Sequence, residues 1–293
     1  MPDLGHYTVT PIHLGISTCP NDTFAFHGIL EQTVDLRGLD FHVELLDIED
    51  INRRLLAGDF DVAKASFHAA LLLAGELGVL PVGSALGFGV GPLLLAARPD
   101  THPGVEFQTG EKARQARVLC PGKHTTATLL YKLFHPGEGT LRQVTFSEIM
   151  PALRTGNADF GVCIHEGRFT WKQQGLAKIE DLGLVWERQT SSPLPLGGIL
   201  ARHRLDRSTI DNVTQVISDS LAYARNHRDE TAPTMRRYAQ DLTNEVMFQH
   251  VDLYVNQWTT DLGHIGNTAL DTLSRKAYDV ELLPPGSPAL TLF

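Results

Sequence analysis

The feature that most limits what this chain can fold into is an internal echo. An apolar run ends in Cys19-Pro20-Asn21-Asp22-Thr23, and a helical pattern follows. Later, Arg117-Val118-Leu119-Cys120-Pro121 leads through Gly122-Lys123-His124-Thr125-Thr126 into a helical run from Ala127 to Phe134. About forty residues beyond each Cys-Pro comes a second matched unit, Leu56-Ala57-Gly58-Asp59-Phe60-Asp61-Val62-Ala63 and Arg154-Thr155-Gly156-Asn157-Ala158-Asp159-Phe160-Gly161. In both, a glycine stops a helix, a tight turn follows and a buried strand is entered from an aspartate. Each half therefore predicts its own βαβ lobe.

The rest of the chain agrees. Short β-branched or apolar runs alternate with helical patterns, the signature of an α/β fold built on mostly parallel sheets. Strands are expected at Thr10 to Ser17, Phe41 to Leu46, Val62 to Ala65, Leu93 to Ala97, Arg117 to Cys120, Gln143 to Phe146 and Phe160 to Ile164. The glycines of Gly83 to Pro92 stand two apart and lead into an apolar run, whereas a dinucleotide loop would open a helix. That segment reads as the approach to a crossover between lobes, and Leu194 to Leu200 as the return. The division is then residues 1–97 with 200–293 for a larger, discontinuous lobe, and 98–199 for a smaller one. Beyond Arg202 the pattern is helical, with Ser208 as an N-cap and Asp211 three residues on. A proline-rich tail from Leu283 to Phe293 is expected to lie extended on the surface.

Charge and cysteine usage narrow the function. With 34 acidic and 25 basic residues the net charge is -9, so the overall field repels nucleic acid and anionic membranes. No apolar run approaches the roughly 20 residues that span a bilayer, and Met1 to Thr10 lacks the basic start and apolar core of a secretory signal. A cytoplasmic location is expected. The three cysteines, Cys19, Cys120 and Cys163, include no C-x-x-C pair, which predicts free thiols. Metal ligation is not expected, because His165-Glu166 continues with Gly167-Arg168-Phe169 and no H-E-x-x-H occurs.

Open α/β sheets bind ligands beyond the carboxyl ends of their strands, so the two Cys-Pro loops and the strand ends at Lys64-Ala65-Ser66 and Val162-Cys163-Ile164-His165 should border one cleft. His165 is the first candidate for proton transfer, since an imidazole exchanges protons near neutral pH. Glu166, on the opposite side of an extended chain, is expected to position the loop. Cys163 shares a face with His165 but reads as a buried structural thiol. The strand-to-helix turn Pro121 to Thr126 presents backbone N–H groups and a helix dipole suited to a carboxylate or phosphate, with Thr125 or Thr126 adding a hydroxyl or serving as the N-cap. Ser66 has no G-x-S-x-G elbow and is expected to hydrogen-bond a ligand rather than attack it.

Six blocks in this order resemble the 1,4-dihydroxy-6-naphthoate synthase family: Ser17-Thr18-Cys19-Pro20-Asn21-Asp22-Thr23-Phe24; Lys64-Ala65-Ser66; Gly87-Phe88-Gly89-Val90-Gly91-Pro92; Pro121 to Ala127; Ile164-His165-Glu166 with Arg168-Phe169-Thr170; and Leu194-Pro195-Leu196-Gly197. The resemblance implies a two-lobed fold like that of type II periplasmic binding proteins. It implies a lyase of menaquinone synthesis that splits cyclic dehypoxanthine futalosine into 1,4-dihydroxy-6-naphthoate and a three-carbon fragment, without a cofactor. The family's proton-accepting histidine falls on His165. Its substrate-binding segments fall on Lys64, Ala65 and Ser66 and on Thr126-Ala127, with Asn52, Leu196 and Tyr254 as further contributors. The implied ligand is a small anionic carboxylate. Two rivals share the fold: chorismate dehydratase of the same pathway, and a non-catalytic cytosolic solute-binding protein.

Overall fold

The strand-helix alternation produces two β-sheets with helices packed on them. The computed structural model describes residues 10–97, 115–165, 167–239 and 242–293; Glu166 and Met1 to Val9 lie outside the described residues. The strands are β1 (Thr10–Ser17), β2 (Leu39–Leu46), β3 (Val62–Ser66), β4 (Leu77–Val79), β5 (Ala85–Gly87), β6 (Leu93–Ala97), β7 (Arg117–Cys120), β8 (Thr140–Gln143), β9 (Phe160–Cys163), β10 (Leu176–Asp181), β11 (Leu194–Arg202) and β12 (Thr291–Leu292). One sheet runs β12-β4-β11-β3-β1-β2, with β5 also on β11; the other runs β10-β6-β9-β7-β8.

Ile12, Leu14 and Ile16 of β1 are fully buried, as are Val62, Ala63 and Ala65 of β3. The last four residues of β1 and all of β3 are buried, so both faces of the sheet are covered there. One face of the first sheet packs on the C-terminal helices, joining Ile12 and Leu14 to Val213, Ile217, Met247 and Val251. A second core runs from Ile51 and Phe60 through Val118 and Leu130 to Trp186 and so ties the two sheets together.

Both sheets are mixed rather than mostly parallel. The β1–β2, β1–β3, β7–β8 and β7–β9 pairs are parallel, whereas β6 runs against β9 and β10, and β11 against β3, β4 and β5. The reason is geometric. A short connection at the cleft delivers the chain to the carboxyl ends of the neighbouring strands, so the entering strand must run away from the cleft. For the same reason the boundaries expected at 97/98 and 199/200 differ from the sheet memberships. β6 belongs wholly to the second sheet and β11 wholly to the first, so the chain changes sheets within Phe88–Pro92 and Ser191–Pro193. At the first changeover the backbones of Gly91 and Gly183 touch, and a Cβ at Gly91 would fall on the Gly183 Cα and N.

Other differences have local causes. The strand expected at Gln143 to Phe146 ends at Gln143, because Thr145 and Glu148 form a capping box that opens helix Phe146–Arg154. Asp206, not Ser208, caps helix Arg207–Asn226 by accepting from the Thr209 N–H at 2.9 Å. The tail is not merely draped on the surface: Thr291–Leu292 adds to the edge of the first sheet against Gly78 and Val79.

Candidate active site

The carboxyl ends of β1 and β3 in one sheet and of β7 and β9 in the other face a common cavity. His165 projects into it from the second sheet. The chain leaves β9 at Cys163 and turns sharply, with the Gly167 N–H bonding the Ile164 carbonyl and the Arg168 N–H bonding the His165 carbonyl at 3.1 and 3.3 Å. His165 itself has φ +54°, a left-handed conformation costing about 1–2 kcal/mol in a residue with a Cβ. Such strain is held only where surrounding contacts fix it. Arg168 anchors the turn, donating to the Gly91 carbonyl at 2.6 Å and to Asp181 at 2.8 Å.

The His165 ring meets the opposite lobe. Its Nδ1 lies 3.1 Å from the Sγ of Cys19, which precedes helix Pro20–Ala25. The ring centre of Phe146 is 4.8 Å from its own in an edge-to-face arrangement, and that of His250 is 6.3 Å away and roughly stacked. Cys163, by contrast, is buried and does not line the cavity.

On the first sheet, Lys64 and Ser66 reach the cavity from the same face of β3, and Ala65 between them points to the other side. The charge of Lys64 is already partnered. Its Nζ is 3.0 Å from Asp22 and donates to the Gly83 carbonyl at 2.8 Å. Asp22 also accepts from Ser17 at 2.6 Å and Asn21 at 2.9 Å. Lys64 and Asp22 are each about 5% exposed, so this is a buried ion pair. Asn52 is fully buried behind Ser66, donating to its Oγ at 3.0 Å and accepting its N–H at 2.9 Å. It does not line the cavity, and it orients the Ser66 hydroxyl so that its proton can be directed at a ligand.

The third wall is the start of helix Thr126–Phe134. Thr125 is its N-cap, accepting from the Thr128 N–H at 3.2 Å and donating to the Gly122 carbonyl at 2.9 Å. Thr126 donates to the Leu196 carbonyl of β11 at 2.6 Å, a bond that crosses between the sheets. The first N–H groups of the helix, at Thr126 and Ala127, have no earlier helical carbonyl to bond, and both residues line the cavity. The preceding loop is less open than its sequence suggests: Glu49 accepts the His124 N–H at 3.0 Å and lies 2.8 Å from its Nδ1. Leu196 and Tyr254 complete the lining, the tyrosine hydroxyl donating to the Val90 carbonyl at 3.3 Å.

Two histidines near this wall are held neutral. Burial pushes His68, which contacts the Thr125 carbonyl at 3.2 Å, down to about 4. Burial, and secondarily the charge of His165, pushes His250 well below its ordinary value. Among the described residues no three His, Cys, Asp or Glu side chains gather as a metal site. Cys19 and His250 line the cavity and Glu49 holds the adjoining loop at His124, and sequence reasoning singled out none of the three. The signal for Cys19 was its place in the first Cys-Pro loop. For His250 it was an imidazole on the apolar face of a helix.

Two mixed sheets joined by two crossovers around a ligand-sized cleft define the fold class of periplasmic solute-binding proteins. The solved structures agree: the chain superposes with a TM-score of 0.69 at 14% identity on the ligand-binding component of an ABC-type import system from Staphylococcus aureus, covering 96% of this chain and 94% of that one. The periplasmic aliphatic sulphonate-binding protein of Escherichia coli matches at 0.62 and 15%, covering 97% and 94%. Protein AF1704 of Archaeoglobus fulgidus is nearer, at 0.84 and 27%, covering 95% of this chain and 99% of that one. The menaquinone biosynthesis family model matches residues 12–279, and the chain belongs to that family. It is 38% identical over 270 residues to the 1,4-dihydroxy-6-naphthoate synthase of Thermus thermophilus, covering 91% of this chain and 93% of the relative. With the enzyme of the same name from Streptomyces coelicolor it shares 34% over 288 residues, covering 96% and 98%.

Proposed function

We propose that the protein is a carbon–carbon lyase that converts cyclic dehypoxanthine futalosine to 1,4-dihydroxy-6-naphthoate with release of a three-carbon fragment, His165 being the general base. It works in the cytoplasm, and the lobes built on the two sheets close around the substrate. The observation that carries this reading is the position of His165, whose ring sits in the shared cavity 3.1 Å from Cys19 of the other lobe, in a strained turn.

The substrate carboxylate lies at the N–H groups of Thr126 and Ala127, where the helix dipole favours an anion. The Ser66 hydroxyl, oriented by Asn52, donates to a substrate oxygen. Leu196 and Tyr254 flank the ring system. Lys64 contributes through its pair with Asp22, which shapes the wall, and Ala65 through the backbone that holds Lys64 and Ser66 in place. His165 removes a proton from the bound cyclic substrate, electrons flow so as to expel the sugar-derived fragment, and aromatisation of the ring drives the step. General-base catalysis by a positioned imidazole contributes a factor of roughly 10² to 10⁴.

The test is to incubate purified protein separately with cyclic dehypoxanthine futalosine and with chorismate, and to identify products by mass spectrometry. Formation of 1,4-dihydroxy-6-naphthoate is expected from the first alone. Dehydration of chorismate, or recovery of both compounds unchanged, would overturn the proposal.

A further inference from the structure

His250 lines the cavity, and the steps above leave its chemistry unused. It lies on helix Asn244–Tyr254, whose buried residues Met247, His250, Val251 and Tyr254 follow the spacing of a core-facing stripe. An apolar side chain would satisfy that position. Instead there is an imidazole, 1% exposed, whose Nδ1 and Nε2 both lack a hydrogen-bond partner among the described residues. Its neighbours are ring faces and edges: Tyr254 at 4.5 Å, and His165 and Phe169 at 6.3 Å. A buried polar group without a partner is destabilising and is tolerated where something else supplies the bond. The ring also lines the cavity, on the side that faces His165.

We infer that His250 is a substrate-recognising residue that hydrogen-bonds an uncharged hydroxyl of the ligand and so holds the sugar-derived portion beside His165. This rests on the function proposed above and adds to it the part of the ligand that His250 reads. A neutral imidazole carries one N–H and one lone pair, which matches a hydroxyl that can both accept and donate. It offers no charge to a carboxylate, which goes to the helix end at Thr126. Burial beside a second imidazole keeps the ring uncharged and so suited to this role.

The experiment compares wild type, His250→Phe and His250→Gln in steady-state turnover of cyclic dehypoxanthine futalosine and in thermal melting. His250→Phe removes an orphan polar group, so its melting temperature is expected to stay level or rise by ~2 °C. Its kcat/KM is expected to fall about tenfold, which corresponds to about 1.4 kcal/mol. His250→Gln, which restores an uncharged donor and acceptor, recovers part of that loss. Wild-type kcat/KM in the phenylalanine variant would overturn the inference. So would a drop of several degrees in the melting temperature of both variants, which would make His250 a structural residue. Wild-type protein that fails to turn over the substrate at all would instead remove the function proposed above, and this inference with it.

Discussion

Replacing Lys64 by methionine separates a charge that holds the fold from one that touches substrate. Lys64 and Asp22 are each about 5% exposed, 3.0 Å apart, and satisfied by three further bonds from Ser17, Asn21 and Gly83. Lys64→Met leaves the Asp22 carboxylate with its two neutral donors and no cation, in a site that water scarcely reaches. Removing one partner of a buried pair typically costs 3–5 kcal/mol, a large share of the 5–15 kcal/mol by which a domain is stable. With a urea dependence of about 3 kcal/mol per molar, the midpoint should fall by about 1–1.7 M. The double variant Lys64→Met/Asp22→Asn removes both charges and should regain at least half of the loss, the coupling being read from the double-mutant cycle. Urea denaturation followed by circular dichroism supplies all four stabilities. A single-variant loss below about 1 kcal/mol, or a double variant as unstable as the sum of the two singles, would refute the view that Lys64 acts through Asp22.

Three other outcomes are expected. Cys19→Ala should leave the melting temperature unchanged but lower kcat by about 10- to 100-fold, because the His165 ring loses the contact that orients it; unchanged kcat would free His165 from that partner. Stability should fall on acidification between pH 6.5 and about 4. Burial depresses the folded pKa of His68 to about 4 from 6.5, so the unfolded chain binds the extra proton in this window, and the stability present above pH 6.5 declines by up to ~3 kcal/mol. Urea midpoints measured across that range should flatten in His68→Gln, and an equally steep profile would contradict the assignment. Gly91→Ala should destabilise by about 1–3 kcal/mol, because its Cβ collides with the Gly183 backbone at the crossover; a wild-type melting temperature would show that the close approach is not needed.

Much of the fold was legible because the strands announce themselves locally. β1, β6 and β7 have the bounds their apolar runs predict, and the two Cys-Pro loops both border the cavity. Sheet membership was not legible in the same way. The run Leu93 to Ala97 reads the same whichever sheet it joins, and its pairing with β9 and β10 is what assigns it to the second. Between Gln143 and Phe146 the apolar Val144 and Phe146 suggest a strand, whereas the Thr145-x-x-Glu148 spacing is that of the capping box the structure forms.

The site divides along the same line. Lys64, Ser66, Thr126 and His165 reach the cavity because strand ends and helix starts place them there, and the two-residue period explains why Ala65 does not. The partners that set their chemistry come from far along the chain. Cys19 and His165 are separated by 146 positions, and Glu49 and His124 by 75. No local pattern encodes such a contact. His250 was hidden for a different reason: at its helical spacing an imidazole is indistinguishable from a satisfied core residue until its unpaired nitrogens are seen.

The imidazole that the second sheet carries into the cleft is the centre of the proposed reaction. Its most direct test is the rate of 1,4-dihydroxy-6-naphthoate formation from cyclic dehypoxanthine futalosine by His165→Ala. That protein should melt within ~2 °C of wild type, since the ring is only partly buried. A rate lowered by roughly 10² to 10⁴ is the expected result. A folded variant that still forms product at a rate within a few-fold of wild type would contradict the account.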